Sequence, residues 1–381
     1  MSNPILLAPG PVQLHPEVQK ILSLPMIHHR TPEFDAILKS VLQNLKFLFQ
    51  TTEPVFMVTS TGSGGMESLL INVLSPKDKV LAIVSGKFGQ RWADMAEAFG
   101  ADVHRLNVEW GTAVSVSEVE KFLKENPDTE IVMTQACETS TGTKHDVEAL
   151  GKIIAKTKAL FLVDGITALG AYQLPMDSWQ IDGLVAGSQK AVMLPTGMSF
   201  VSFSQKAWQK IPKAKCPKFY FDITNELKAN QKGETLFSSN VPLIRALDFI
   251  LKRIETIGLQ KHFRQLCRRA DYTRAMAKEL NLKLFSKSPS DSVTALSVPE
   301  NIDGTKLREH LEKKYFLTVM GGQDQLKGKI IRLGHMGYIR ESDMHETTLR
   351  LAQGLIDFNC PVDIQKITLA SQKYLSESLI V

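Results

Sequence analysis

Cysteine is scarce in this chain: only Cys137, Cys216, Cys267 and Cys360 occur, far apart and with no CxxC pair. That excludes a disulfide framework and the usual zinc-site spacings, and it suits a reducing cytoplasm. Long apolar runs are absent as well, since none reaches the ~18 residues of a membrane span. The opening "MSNPILLAPGPVQ" has no basic stretch leading into an apolar one, and the closing "SESLIV" carries no peroxisomal address. A soluble, unexported, cytoplasmic protein is expected. Charge of one sign is never concentrated: the net +5 is dispersed, and only Lys213, Lys215 and Lys218 lie close together. Such a pattern fits a solvated loop and gives no reason to expect a nucleic-acid or membrane partner.

What is present suits a globular protein. At 381 residues, 43% hydrophobic and 22% charged, the chain can bury a sizeable core. Strand-length apolar runs at 55–59, 80–84, 103–106, 131–134, 160–163, 184–186 and 198–203 alternate with helix-length segments at 66–74, 89–99, 117–125 and 147–156. This alternation predicts an α/β fold with a mostly parallel seven-stranded sheet and helices on both faces. From about residue 243 the pattern changes to long helical stretches (243–257, 259–280), short strands (293–298, 317–319, 329–333) and a closing helix near 343–358. The reading is a large domain over residues 1–250 and a smaller C-terminal α+β domain over 251–381, with no repeat and no low-complexity linker.

Three stretches place chemistry at the carboxyl ends of predicted strands, where open α/β sheets bind ligands. In "TSTGSGGMESLLINVL" a strand runs into a glycine-rich turn that opens a helix. Ser63, Gly64 and Gly65 there form either a phosphate or carboxylate cradle or a plain helix start. The stretch is neither GxGxxG nor a Walker loop. "ALFLVDGITALG" ends an apolar strand in Asp164, which reads as a ligand carboxylate or as a helix cap. "QACETSTGT" delivers hydroxyls, Thr139 among them, to the same rim. Lys190, in "LVAGSQKAVMLPTG", stands 26 residues after Asp164, and that spacing returns the chain to the same sheet edge. Alone it reads as an exposed turn lysine. A lysine, a carboxylate and a phosphate cradle on one rim instead specify pyridoxal 5'-phosphate chemistry.

With these motifs and with "LLAPGPVQLHPEV", "HHRTPEF", "GKFGQR" and "GKIIRLGHMGY", the sequence resembles the class V aminotransferases over nearly its whole length. These are fold-type I pyridoxal-phosphate enzymes, here of the alanine–glyoxylate, serine–glyoxylate and serine–pyruvate group. The resemblance implies a transaminase that moves the amino group of serine or alanine to glyoxylate or pyruvate, working as a homodimer with active sites at the subunit interface. By resemblance, Lys190 is the Schiff-base lysine and proton shuttle, and Asp164 the carboxylate on the pyridine nitrogen. Ser63, Gly64, Gly65 and Gln189 form the phosphate cup. Phe88 is the stacking ring, or else an ordinary core phenylalanine, and Thr139 a hydroxyl near the cofactor's phenolic oxygen. Arg332 binds the substrate carboxylate.

His28, His29 and Arg30 stand either at the active-site entrance or in a segment that sets the chain path and a dimer contact. One departure from the family occurs in "TLFSSNVP". Phe237 and Asn240 replace a tyrosine and a threonine that reach the partner's phosphate, so a hydroxyl is missing while Asn240 can still donate. Alternatives within the superfamily are aspartate or phosphonate transamination, or a lyase or cysteine desulfurase. Against a desulfurase stand Gln189, where those enzymes carry histidine, and the predicted helical surroundings of Cys267 and Cys360. A non-catalytic hydrogenase-associated subunit is the remaining alternative.

Overall fold

Four of the apolar runs, Ile131–Gln135, Leu160–Asp164, Gly183–Gly187 and Ser199–Phe203, are buried at every position. Strands covered by helices on both faces need such continuous apolar sequence. The computed structural model describes residues 3–377; Ser378 to Val381, in the segment read above for an address, lie outside them. These strands belong to a seven-stranded sheet. Its order is Val55–Val58, Ser199–Phe203, Gly183–Gly187, Leu160–Asp164, Ile131–Gln135, Lys79–Val84, Asp102–Asn107. Ser199–Phe203 runs antiparallel to both neighbours, and the remaining pairs are parallel. Asp102–Asn107, at the edge, has no fully buried position. Two apolar clusters cover the two faces, one built around Leu81, Val132 and Phe161, the other around Ile131, Leu162 and Trp92.

The seven expected strands match these within a residue or two. The helices Pro32–Phe49, Gly304–Tyr315 and Ile364–Glu377 lie outside the segments read as helical. Pro32–Phe49 starts where Thr31 accepts the Phe34 N–H, and it buries Phe34, Leu38, Val41, Leu45 and Leu48 along one stripe. Its partner is the helix Val241–Ile257, which contains residue 250 in its interior.

The C-terminal part carries an antiparallel sheet in the order Lys283–Leu284, Val293–Ser297, Ile330–Gly334, Met320–Gly321. The strand expected at 317–319 is found at Leu317–Thr318, and a second short strand, Met320–Gly321, follows it. Leu317–Thr318 pairs with Ile5–Leu6, while Met320–Gly321 pairs with Ile331 and Arg332. The N-terminal segment is thereby strapped to the C-terminal sheet: Gly334 N–H donates to the Leu7 carbonyl at 2.7 Å and Tyr338 N–H to Gln13 at 3.0 Å. Cys360, expected in a helix, sits in the connection after the helix Glu341–Asp357; Cys267 is helical as expected.

Candidate active site

Asp164 is the last residue of its strand, and Lys190 follows the end of the adjacent strand, Gly183–Gly187. Because the two strands are parallel neighbours, both side chains arrive at one rim. Asp164 Oδ1 accepts the Ile166 N–H at 2.8 Å and is otherwise enclosed; burial pushes its carboxyl up to about 7. Lys190 is partly buried, and loss of hydration brings its amine down to about 8, with the Asp164 charge opposing the fall. Its Nζ donates to the Pro9 carbonyl at 2.8 Å, so the strap forms one wall of the site. Gly10, at φ +136°, lies so close that a Cβ there would stand 2.2 Å from Nζ.

The glycine-rich turn opens the helix Gly62–Ile71, whose N-cap Thr61 makes no side-chain capping bond. Gly65 N–H makes the first intrahelical bond, to Thr61, which leaves the amides of Gly62, Ser63 and Gly64 available to an anion. Close packing dictates the glycines. A Cβ on Gly64 would meet Ser60 at 2.7 Å, and one on Gly65 would meet Ser199 at 2.6 Å. Beyond Gly187, Gln189 buries an Oε1 that has no hydrogen-bond partner. Open amides at a helix start, a buried carboxylate and a partly desolvated amine form a set of groups that fits pyridoxal phosphate.

Phe88 stands in the first turn of the helix Lys87–Ala98 and is partly exposed, so it is not a core phenylalanine. That helix start is held by Glu138. Its Oε2 accepts the N–H groups of Phe88 (3.1 Å) and Gly89 (3.0 Å), and its Oε1 accepts the N–H (3.1 Å) and hydroxyl (2.6 Å) of Ser140. Glu138 is fully buried, and burial pushes its carboxyl up. Thr139 shares a 2.7 Å hydrogen bond with the Thr167 hydroxyl. Its carbonyl accepts from Arg332 Nη1 at 2.9 Å, while Arg332 Nε and Nη2 donate to the Gly321 carbonyl at 3.0 and 2.8 Å. Three of the five guanidinium N–H groups are thus engaged, leaving two for a carboxylate. Burial brings Arg332 down to about 10, and its charge in turn helps to lower Lys190.

The fold therefore gathers Lys190, Asp164, Thr139, Gln189 and Arg332 with the Ser63–Gly65 turn and Phe88. It places the others elsewhere in the chain. Asn240 caps the helix Val241–Ile257 through Leu243, and Phe237 stacks on Tyr220 at 4.6 Å. His28 and His29 stack on each other, and Arg30 pairs with Glu234 at 2.6 Å. Three parts of the site lie within the sequence motifs but carry no assigned role there: Glu138, Arg91 and the Pro9–Gly10 wall. A carboxylate among apolar and hydroxyl residues at a strand end was a legible signal for Glu138, and the i, i+3 spacing from Phe88 was one for Arg91. Nothing local marked Pro9, 181 residues from Lys190.

The family described as Aminotransferase class-V matches residues 15–349. The chain belongs to the class V aminotransferases. It is 37% identical over 345 residues to the soluble hydrogenase 42 kDa subunit of Anabaena cylindrica, covering 89% of this chain and 90% of that one. Identity to the L-aspartate–glyoxylate aminotransferase of Paracoccus denitrificans is 34% over 385 residues, covering 99% and 97%. The crystal structure of ureidoglycine-glyoxylate aminotransferase from Bacillus subtilis superposes with a TM-score of 0.92 at 27% identity and 99% coverage of both chains. This class V aminotransferase is accordingly a transaminase, and its cofactor is pyridoxal phosphate. Among the described residues no helix is long and apolar enough to cross a membrane.

Proposed function

We propose that this aminotransferase moves the amino group of a small amino acid, serine or alanine, to glyoxylate or pyruvate. The observation that carries the reading is the meeting of a partly desolvated lysine, a buried carboxylate and a two-pronged arginine on one rim. Pyridoxal phosphate, when bound, supplies the electron sink that lets an amino acid lose its Cα proton. Lys190, its amine near neutrality, holds the cofactor and then carries the proton released from the substrate. Asp164 keeps the pyridine nitrogen protonated, Phe88 stacks on the ring, and Thr139 bonds the cofactor near its phenolic oxygen. Ser63 and Gly64, with Gly62, receive the phosphate on their open amides, Gly65 gives the turn its close packing, and Gln189 donates from its side-chain amide. Arg332 fixes the substrate carboxylate through its two remaining N–H groups.

The Pro9–Gly10 wall beside Lys190 favours substrates with short side chains. Glyoxylate recurs in the names of two of the similar proteins above, whereas the donors in those names differ. A donor screen tests the reading: cofactor-loaded protein is mixed with serine, alanine and aspartate, and the absorbance change from pyridoxal to pyridoxamine form is followed. Aspartate outpacing both small donors would overturn the substrate assignment, and no change with any donor would overturn the chemistry.

The protein works as a homodimer in this reading, with Asn240 reaching the partner's phosphate. Exposed Met26 (68%) and Phe219 (83%) support a covering subunit; light scattering on the purified protein reads this directly. Division of the chain into a large unit and a smaller C-terminal one goes with the same reading. A purely accessory hydrogenase subunit would not need the intact Lys190–Asp164–Arg332 set. A desulfurase would need an activated thiol, and burial pushes all four cysteines up, Cys267 to about 11.

A further inference from the structure

Arg91 lies one helical turn after Phe88 on the helix Lys87–Ala98. Its guanidinium carbon stands 5.0 Å from the Phe88 ring centroid, and its Nη1 donates to Ser63 Oγ at 3.1 Å. The i, i+3 spacing on one helix face makes both contacts possible from a single side chain. Arg91 is partly buried, yet no carboxylate among the described residues lies within ion-pair distance of it. The other cations of the site are engaged. Lys87 pairs with Asp324 at 3.0 Å, Arg332 is bonded to two carbonyls, and Lys190 is the reacting group. Its charge acts on Asp164 only at longer range, so this half-buried cation has no ion-pair partner and is hydrogen-bonded to the hydroxyl of an anion cradle, where an arriving anion would complete its pairing.

We infer that Arg91 is the cation that neutralises the cofactor phosphate, acting with Ser63 and the open amides of Gly62, Ser63 and Gly64. The assignment rests on the pyridoxal-phosphate reading of the site and adds a residue to it. It also accounts for Phe237. With an arginine of the same chain on the phosphate, the hydroxyl that a tyrosine at position 237 would supply from the partner subunit is dispensable.

The test compares two ligands that differ only in the phosphate. Cofactor-free wild type, Arg91→Ala, Arg91→Lys and Arg91→Gln are titrated with pyridoxal phosphate and with pyridoxal, following the visible band of the bound cofactor; circular dichroism selects the variants that fold. Loss of a charge-assisted hydrogen bond weakens pyridoxal phosphate binding by about 10- to 100-fold in Arg91→Ala or Arg91→Gln. Pyridoxal affinity stays within about threefold, and Arg91→Lys keeps part of the difference. Equal losses for the two ligands would place Arg91 in support of the ring instead and overturn the assignment, as would unchanged affinity for pyridoxal phosphate. A wild type that binds neither ligand would refute the cofactor reading, which is a different failure.

Discussion

The amine of Lys190 should react at a pH at which an ordinary lysine is inert. With its titration near 8, roughly a quarter of the amine is neutral at pH 7.5, against about one part in a thousand for a lysine at 10.4. Two hundred times more nucleophile is therefore available at neutral pH, before any help from the cofactor cradle. The assay is incorporation of pyridoxal, trapped by borohydride and located at Lys190 by mass spectrometry, between pH 6 and 10.5. The rate should rise to a plateau with an inflection near 8. Replacing Asp164 by Asn removes the charge that holds the amine up, so the inflection should move down.

The same desolvation has a stability cost. Because the folded pKa lies below the unfolded one, the penalty is full below pH 8 and disappears as pH climbs through the unfolded value near 10.5. Lys190→Met should therefore stabilise the cofactor-free protein at pH 7, by up to ~3 kcal/mol in chemical denaturation. An inflection above pH 10, or an upward move in Asp164→Asn, would refute the argument.

Three further perturbations follow from the geometry. Gly10→Ala puts a methyl 2.2 Å from Lys190 Nζ at a φ of +136°, so it should cost about 1–3 kcal/mol of stability and slow the trapping reaction at Lys190; an unchanged trapping rate would contradict the wall. Glu138→Gln turns an NH₂ group toward either the Phe88 and Gly89 amides or Ser140, and should cost about 2–3 kcal/mol in denaturant unfolding. Arg332→Lys loses the planar fork, so the KM for the amino donor should rise by about 10- to 100-fold with a smaller change in kcat; steady-state kinetics separates the two.

Most of the large sheet was legible because strands buried on both faces must be apolar throughout, and Ile131–Gln135 or Leu160–Asp164 have no other reading. Helix Gly304–Tyr315 escaped because it buries only Gly304, Leu307 and Leu311, too thin a stripe to stand out among its charges. The strand at 317–319 was legible as Leu317–Thr318, but its parallel pairing with Ile5–Leu6, at the other end of the chain, was not.

Residue identities and their spacing already point to the chemistry. Asp164 and Lys190 stand at the ends of parallel neighbouring strands that meet at one rim, and the glycine-rich turn follows the edge strand Val55–Val58, which runs the same way with one strand between. How those groups are tuned is set by folding. Desolvation of Lys190 and Asp164, the Pro9 carbonyl on the lysine, the Glu138 clamp behind Phe88 and Arg91 beside Ser63 all arise from contacts between segments brought together by folding. Sequence position carries residue identity, but dielectric environment and distance exist only once the chain has folded.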